Sequence, residues 1–150
     1  MTRPAISLNT ARAEQIHNVL SGLLPAIGRP HAHNPLGVEM GSVLPIIVPL
    51  EEILNGTTYG EVTSGVYVTV DEAQVVRYVG SVDRSSPALK SRLSAHLRRR
   101  PQLRQTWTGL GLVRLPDGLP HRQVMFCEGW VGRVLDPLDN DRLPLAGGWP

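Results

Sequence analysis

The sequence predicts an α+β fold, a three-stranded antiparallel sheet flanked by helices, with an N-terminal helical extension. Two apolar runs, Gly65 to Val70 and Gln74 to Val82, enclose an acidic turn, which is typical of a β-hairpin. Leucines repeated every four residues predict a helix after the hairpin. A later apolar run, Leu110 to Leu115, supplies the third strand, and strands mixed with helices in this order favour an α+β domain.

The first sixty residues form the predicted extension, whose role the sequence leaves open. Asn9 or Thr10 is suited to cap a helix that runs to about Leu24. A short strand is expected within Val43 to Val48, followed by a short helix closed by Gly56. We therefore divide the chain into an extension, residues 1–60, and a chemical domain, residues 61–150.

Two helices of the second part are predicted from their ends and their apolar spacing. Ser85 or Ser86 can cap the first, and Pro101 ends it. Its buried stripe is predicted to consist of Leu89, Leu93 and Leu97. The last helix is expected from about His121 to Leu135, with an inward face formed by Val124, Cys127, Val131 and Val134 or Leu135.

Composition limits the classes of protein to consider. The chain has 150 residues, which suits one domain, and a single cysteine, Cys127, which excludes an intramolecular disulfide framework. The most apolar stretch, Leu36 to Leu50, contains Glu39, Pro45 and Pro49 and is too short to span a bilayer. We therefore predict a cytoplasmic protein without a membrane partner.

Positive charge is concentrated in one segment. The formal net charge is +2, but residues 77–104 hold eight basic residues and one acid, Asp83, so this segment is +7 and the remainder −5. Such a stripe indicates a polyanion site. A solvated basic helix face is the alternative.

Two tripeptides and four polar residues follow one another in a particular order. They are Gly65-Val66-Tyr67, then after ten residues Tyr78-Val79-Gly80, then Arg92, His96, Glu128 and Asn140. This pattern, which covers about residues 62–142, resembles the GIY-YIG nuclease family. The resemblance implies a GIY-YIG-like fold for residues 61–150 and hydrolysis of phosphodiester bonds.

The tyrosines and the helix residues take their roles from this resemblance. Tyr67 corresponds to the proposed general base, although a tyrosine with its ordinary pKa of about 10 is a poor base unless a metal or Arg92 lowers that value. Tyr78 would bind the scissile phosphate or orient water, and Arg92 would clamp two phosphate oxygens. His96 would transfer a proton or contact phosphate. Structural roles for Tyr67 and His96 are the alternatives.

The acid and the amide complete the predicted site. Glu128 is the candidate ligand of one Mg²⁺ or Mn²⁺ ion, because such cations need only one or two carboxylates besides water and substrate oxygens. Asn140 would position Glu128 or the nearby backbone, and a turn asparagine is the alternative. Ser81 stands where some relatives have a lysine, and it can donate a hydrogen bond but supplies no charge.

We therefore expect a metal-dependent endonuclease, a hydrolase that cuts DNA, with RNA not excluded as a substrate. The predicted nucleic-acid contacts are Arg84, Lys90, Arg98, Arg99, Arg100 and Arg104. One site per chain needs two copies or two events to cut both strands, which leaves a homodimer open. The alternatives are a catalytically inactive GIY-YIG-like module that binds nucleic acid or protein, and a passive scaffold.

Overall fold

A four-stranded antiparallel sheet forms the middle of the protein. The computed structural model describes residues 7–23, 46–83, 88–115 and 119–140. In chain order the elements are α1 (Thr10–Leu23), β1 (Val48–Pro49), α2 (Leu50–Leu54), β2 (Ser64–Val70), β3 (Val76–Asp83), α3 (Leu89–Arg99), a 3₁₀ helix (Pro101–Gln105), β4 (Gly109–Arg114) and α4 (His121–Leu135).

The strand order is β1-β4-β2-β3, so β2 lies inside the sheet and β3 at one edge. The α+β class is confirmed, but the predicted count of three strands is corrected to four. The additional strand is β1, whose Val48 pairs with Leu110 of β4. A short strand was expected within Val43 to Val48, and β1 overlaps it at Val48, while residues 43–45 lie outside the described residues. That strand was assigned to the extension and not to the sheet, because its pairing with β4 leaves no local signal in the sequence.

The sheet buries a separate core on each face. Side chains of β2 alternate between the faces, because successive residues of a strand point in opposite directions. Val66, Val68 and Val70 enter the core that α1 and α4 cover, whereas Tyr67 enters the core that α2 and α3 cover. All four are at most 1 % exposed, so both faces of β2 are enclosed.

A β-bulge in β3, the strand that carries Tyr78, determines which of its residues face each core. Tyr78 pairs with Thr69 and Val76 with Val70, so Arg77 has no partner on β2. The extra residue breaks the alternation. As a result Val76 enters one core while Tyr78 packs against the other.

The predicted helices of the second part are confirmed. The stripe Leu89, Leu93 and Leu97 of α3 is buried, and α4 begins and ends at the predicted residues. On α4, Val124, Cys127, Val131 and Leu135 are at most 1 % exposed. The predicted caps of α3, Ser85 and Ser86, lie outside the described residues.

Described parts of the first sixty residues pack into both cores. Helix α1 begins as predicted, since Asn9 Oδ1 accepts a hydrogen bond of 2.9 Å from the N–H of Arg12. Ile16 of α1 joins the α4 side, and Ile53 of α2 joins the α3 side. The division at residue 60 stays a prediction. Among the helices that the structure describes, none has the length and apolar character needed to cross a membrane.

Candidate active site

The predicted site residues gather around the edge strand β3, which lies between α3 and α4. Tyr67, Tyr78 and the residues of α3 lie on one face of the sheet, and Glu128 of α4 approaches from the other. Glu128 and Arg92 lie close enough to influence each other electrostatically, and both influence Tyr67 and Tyr78. The structure therefore brings together these side chains from β2, β3, α3 and α4.

Gly80 makes room for the ring of Tyr67. The two residues are paired across β2 and β3, and a Cβ atom at Gly80 would lie 2.4 Å from Tyr67 Oη and 2.5 Å from Cζ. Any side chain at position 80 would therefore overlap the phenol. The ring of Tyr78 lies beside it, with the two ring centroids 6.1 Å apart. The first and last residues of the motif Tyr78-Val79-Gly80 thus shape the wall around Tyr67.

Two buried polar groups of the site lack hydrogen-bond partners among the residues that the structure describes. They are the hydroxyl of Tyr67 and Nε of Arg92, although the Arg92 guanidinium lies near enough to that hydroxyl to lower its pKa as a hydrogen-bond donor. Buried polar groups are almost always hydrogen-bonded, so an unpaired pair in one place calls for an explanation. A phosphate oxygen or a water molecule would satisfy both, because both atoms can donate.

Burial raises the pKa of Tyr67 well above its ordinary value, with a contribution from Tyr78, and the positive charge of Arg92 offsets only part of the effect. This shift is opposite in direction to the one that a general base needs. Tyr67 is therefore suited to donate a hydrogen bond and poorly suited to remove a proton from water.

An aromatic cluster holds Tyr78 and His96. The ring centroid of Tyr78 lies 4.8 Å from that of His96 and 5.0 Å from that of Trp107. Burial lowers the pKa of His96, and the charges of Arg99 and Arg92 lower it further. His96 is therefore biased toward its neutral form. Trp107 is 2 % exposed, so it is a core residue and not a platform on which a base could stack.

Glu128 is a buried acid held by one hydroxyl. Ser81 Oγ donates to Glu128 Oε1 over 2.7 Å, the hydrogen bond that a serine at that position makes possible. Burial raises the pKa of Glu128, while Ser81 and Arg92 oppose the rise. Within residues 7–23, 46–83, 88–115 and 119–140, no three His, Cys, Asp or Glu side chains are grouped to hold a metal.

Asn140 binds the backbone of the second tripeptide. Its Oδ1 accepts from the N–H of Val79, and its Nδ2 donates to the carbonyl of Val79, both over 2.9 Å. The amide thus takes the position of a neighbouring strand at the open edge of β3. Of the two predicted targets of Asn140, the structure shows the backbone.

Asp139 is a site residue that the sequence analysis missed. Its carboxylate accepts two hydrogen bonds of 3.1 Å from Arg77 and one of 2.8 Å from Trp107 Nε1. Its carbonyl accepts from Arg100. Asp139 therefore fixes the loop that carries Asn140. Its one sequence signal was its position beside Asn140, and its partners are 32 to 62 residues away.

The predicted nucleic-acid contacts fall into three groups. Arg84 lies outside the described residues, and Arg100 is half-buried and bound to Asp139. The exposed ones are Lys90, Arg98, Arg99 and Arg104. Lys90 also lines a cavity of about 230 Å³ between α2 and the start of α3, together with Tyr59 and Ser91.

Comparisons with family models, curated proteins and solved structures find no match for this chain. The resemblance to the GIY-YIG nucleases therefore rests on the motif residues and their order, and membership in that family stays a prediction.

Proposed function

We propose that this protein is a metal-dependent endonuclease that hydrolyses phosphodiester bonds in DNA, with a site of the GIY-YIG type. The observation that carries the proposal is the buried cluster of Tyr67, Arg92 and Glu128, in which Tyr67 Oη and Arg92 Nε keep hydrogen-bonding capacity that the described residues leave unused. A phosphate group offers the acceptor oxygens that these donors lack.

Arg92 and Tyr67 would hold the phosphate. A guanidinium can bind two oxygens at once and keeps its charge throughout the reaction. Tyr67 would donate a hydrogen bond to a phosphate oxygen, because its raised pKa keeps the hydroxyl protonated. Both groups would stabilise the negative charge that develops on the phosphoryl oxygens.

The residues present fit a single hydrated Mg²⁺ or Mn²⁺ ion. Such an ion commonly keeps several waters and takes one or two carboxylates plus substrate oxygens, and Glu128, oriented by Ser81, supplies one carboxylate. When bound there, the ion would stabilise charge on the leaving oxygen. Although burial raises the pKa of Glu128, the hydrogen bond from Ser81 and the charge of Arg92 both favour the ionised carboxylate, which is the form that a cation binds.

The exposed basic residues would bind the DNA backbone. Arg98 and Arg99 lie at the end of α3, two and three residues beyond His96. Contacts of this kind read charge and not base sequence. They would make binding dependent on salt, and removal of one phosphate contact should reduce the slope of log K against log salt by about 1. Because RNA has the same phosphate backbone, these contacts would also serve an RNA substrate.

The test is cleavage of supercoiled plasmid with Mg²⁺, compared with the same reaction in EDTA. Loss of one charge-stabilising donor typically costs about 10²–10³-fold in rate, so Arg92→Gln should cut at least 100-fold more slowly. The exposed acid of α1, Glu14, provides the control Glu14→Gln, which should cut at the wild-type rate. Salt-sensitive binding by a wild-type protein that does not cut would favour the inactive module instead.

A further inference from the structure

A histidine and an aspartate form a hydrogen-bonded pair next to the proposed site. Nδ1 of His121, the first residue of α4, is bonded to Oδ2 of Asp83, the last residue of β3. The histidine side chain is 69 % exposed and the aspartate side chain 16 %. One partner is therefore held in the protein, while the other faces solvent, where a substrate can reach it.

The pair lies on the Glu128 side of β3. Ser81 and Asp83 are two residues apart on β3 and so point to the same face. Glu128 and His121 are seven residues apart, about two turns on one face of α4, which corresponds to a rise of roughly 10 Å. Ser81–Glu128 and Asp83–His121 are thus two successive links between the same strand and the same helix. Asp83 and His121 both influence the charge state of Glu128.

The hydrogen bond determines what the imidazole can do. A carboxylate only accepts hydrogen bonds, so Nδ1 of His121 must carry the proton that the bond requires. Nε2 then remains available to exchange a proton, and the carboxylate supports the imidazolium that carries it. Histidine oriented by aspartate in this way is a recurrent proton-transfer arrangement in enzymes.

We propose that His121, oriented by Asp83, is the general acid that protonates the leaving oxygen, an inference that rests on the proposed nuclease function. Tyr67 and Arg92 hold the phosphate from the other face of β3, and the leaving oxygen departs in line, away from the attacking water. The side of Glu128 and His121 is therefore the leaving side.

The proton and electron balance is simple. The oxygen of water forms a bond to phosphorus and releases its proton to solvent. The bond between phosphorus and the leaving oxygen breaks, and its electron pair stays on that oxygen. The oxygen takes the proton from Nε2 of the His121 imidazolium, and the neutral imidazole regains a proton from solvent. The products are a phosphate monoester and a free hydroxyl group.

A substrate with sulfur as the leaving atom separates this role from a structural one. Two oligonucleotides are compared, which carry either oxygen or sulfur as the bridging leaving atom at one mapped cleavage position. Single-turnover cleavage of each is measured with Mn²⁺, because this ion tolerates sulfur. General acid catalysis is typically worth about 10²–10⁴-fold, so His121→Gln should lose that much on the oxygen substrate. A thiolate leaves without a proton, so the same variant should cut the sulfur substrate at nearly the wild-type rate.

Two further variants complete the test. Asp83→Asn should show the same selective loss to a smaller extent, and the neighbouring exposed Arg122→Gln should cut both substrates normally. DNA binding in EDTA should be equal for wild type and His121→Gln. An equal loss on both substrates, or no loss on either, would overturn the general-acid role. A wild-type protein that cuts neither substrate would refute the nuclease function itself.

Discussion

Removing the side-chain amide of Asn140 should cost more stability than an ordinary asparagine change. The amide makes both hydrogen bonds that a neighbouring strand would make to Val79, each 2.9 Å long, and Asn140 is 8 % exposed. Asn140→Ala leaves the N–H and the carbonyl of Val79 without these partners. Both groups lie between Tyr78 and Gly80, so the loss also loosens the wall of the proposed site.

The expected magnitude follows from the two backbone groups. An unsatisfied buried donor or acceptor costs about 1–3 kcal/mol. Because β3 is the edge strand, water can reach part of the vacated space, and we expect the lower half of the summed range, about 2–4 kcal/mol. For a chain of 150 residues this corresponds to a fall in Tm of roughly 5–15 °C.

The assay is urea unfolding followed by the fluorescence of the tryptophans, with thermal unfolding as a second readout. Asn18→Ala is the matched control, since Asn18 is exposed on α1 and alanine favours a helix. Its free energy of unfolding should stay within about 0.5 kcal/mol of the wild type. An Asn140→Ala variant as stable as Asn18→Ala would refute the reasoning.

Three further predictions concern buried groups. Gly80→Ala should destabilise the protein by about 1–3 kcal/mol, since the new methyl group would overlap the phenol of Tyr67, and urea unfolding that shows no loss would contradict the geometry. Burial raises the pKa of Glu128 above its ordinary 4.5, so the folded state binds a proton there more tightly than the unfolded chain. The tighter proton binding stabilises the folded protein at a pH below the ordinary pKa of 4.5, and this stabilisation is lost as the pH rises through the raised pKa of the folded state. Glu128→Gln should therefore be more stable than wild type at neutral pH, with a difference that disappears at acid pH, and a pH series of unfolding curves that runs the opposite way would exclude it. Burial also raises the pKa of Cys127 to about 12, so a thiol-reactive disulfide reagent should label it at pH 8 only after unfolding, and rapid native labelling would be inconsistent with the packing.

Elements with a local signal were predictable. The leucine spacing of α3 and the apolar spacing of α4 depend on neighbours within one or two turns, and both helices match the structure closely. The hairpin strands were predicted within one or two residues. A short strand was expected within Val43 to Val48, which overlaps β1 at Val48, but its place in the sheet was not predicted, because it depends on pairing with the distant β4.

Contacts between residues that are far apart in the chain could not be predicted from the sequence. Arg77 belongs to the basic stripe by sequence, but the bulge in β3 leaves it without a partner on β2, and it forms an ion pair with Asp139, 62 residues later. Nothing near either residue indicates the pair. The link between Asp83 and His121 escaped prediction for the same reason, because it depends on how α4 lies along β3.

The chemistry of Tyr67 shows a similar limit. The sequence placed it on a strand, and the resemblance suggested a base whose pKa some neighbour would lower. The structure buries the ring completely, with Leu112 beside it on β4 and Gly80 on β3, and burial outweighs the charge of Arg92. The direction of a pKa shift depends on the surroundings from all sides, which residue order alone does not give.

The most direct test of the nuclease proposal measures binding and hydrolysis of one labelled DNA in the same samples, at saturating protein and Mg²⁺, for wild type and Glu128→Gln. Since Glu128 is buried and the exposed basic residues remain, the variant should bind DNA as the wild type does. Its single-turnover rate should fall by at least about 100-fold, because charge on the leaving oxygen loses its stabilisation. Hydrolysis by Glu128→Gln at the wild-type rate, or a wild-type protein that binds DNA without cutting it, would contradict the proposal.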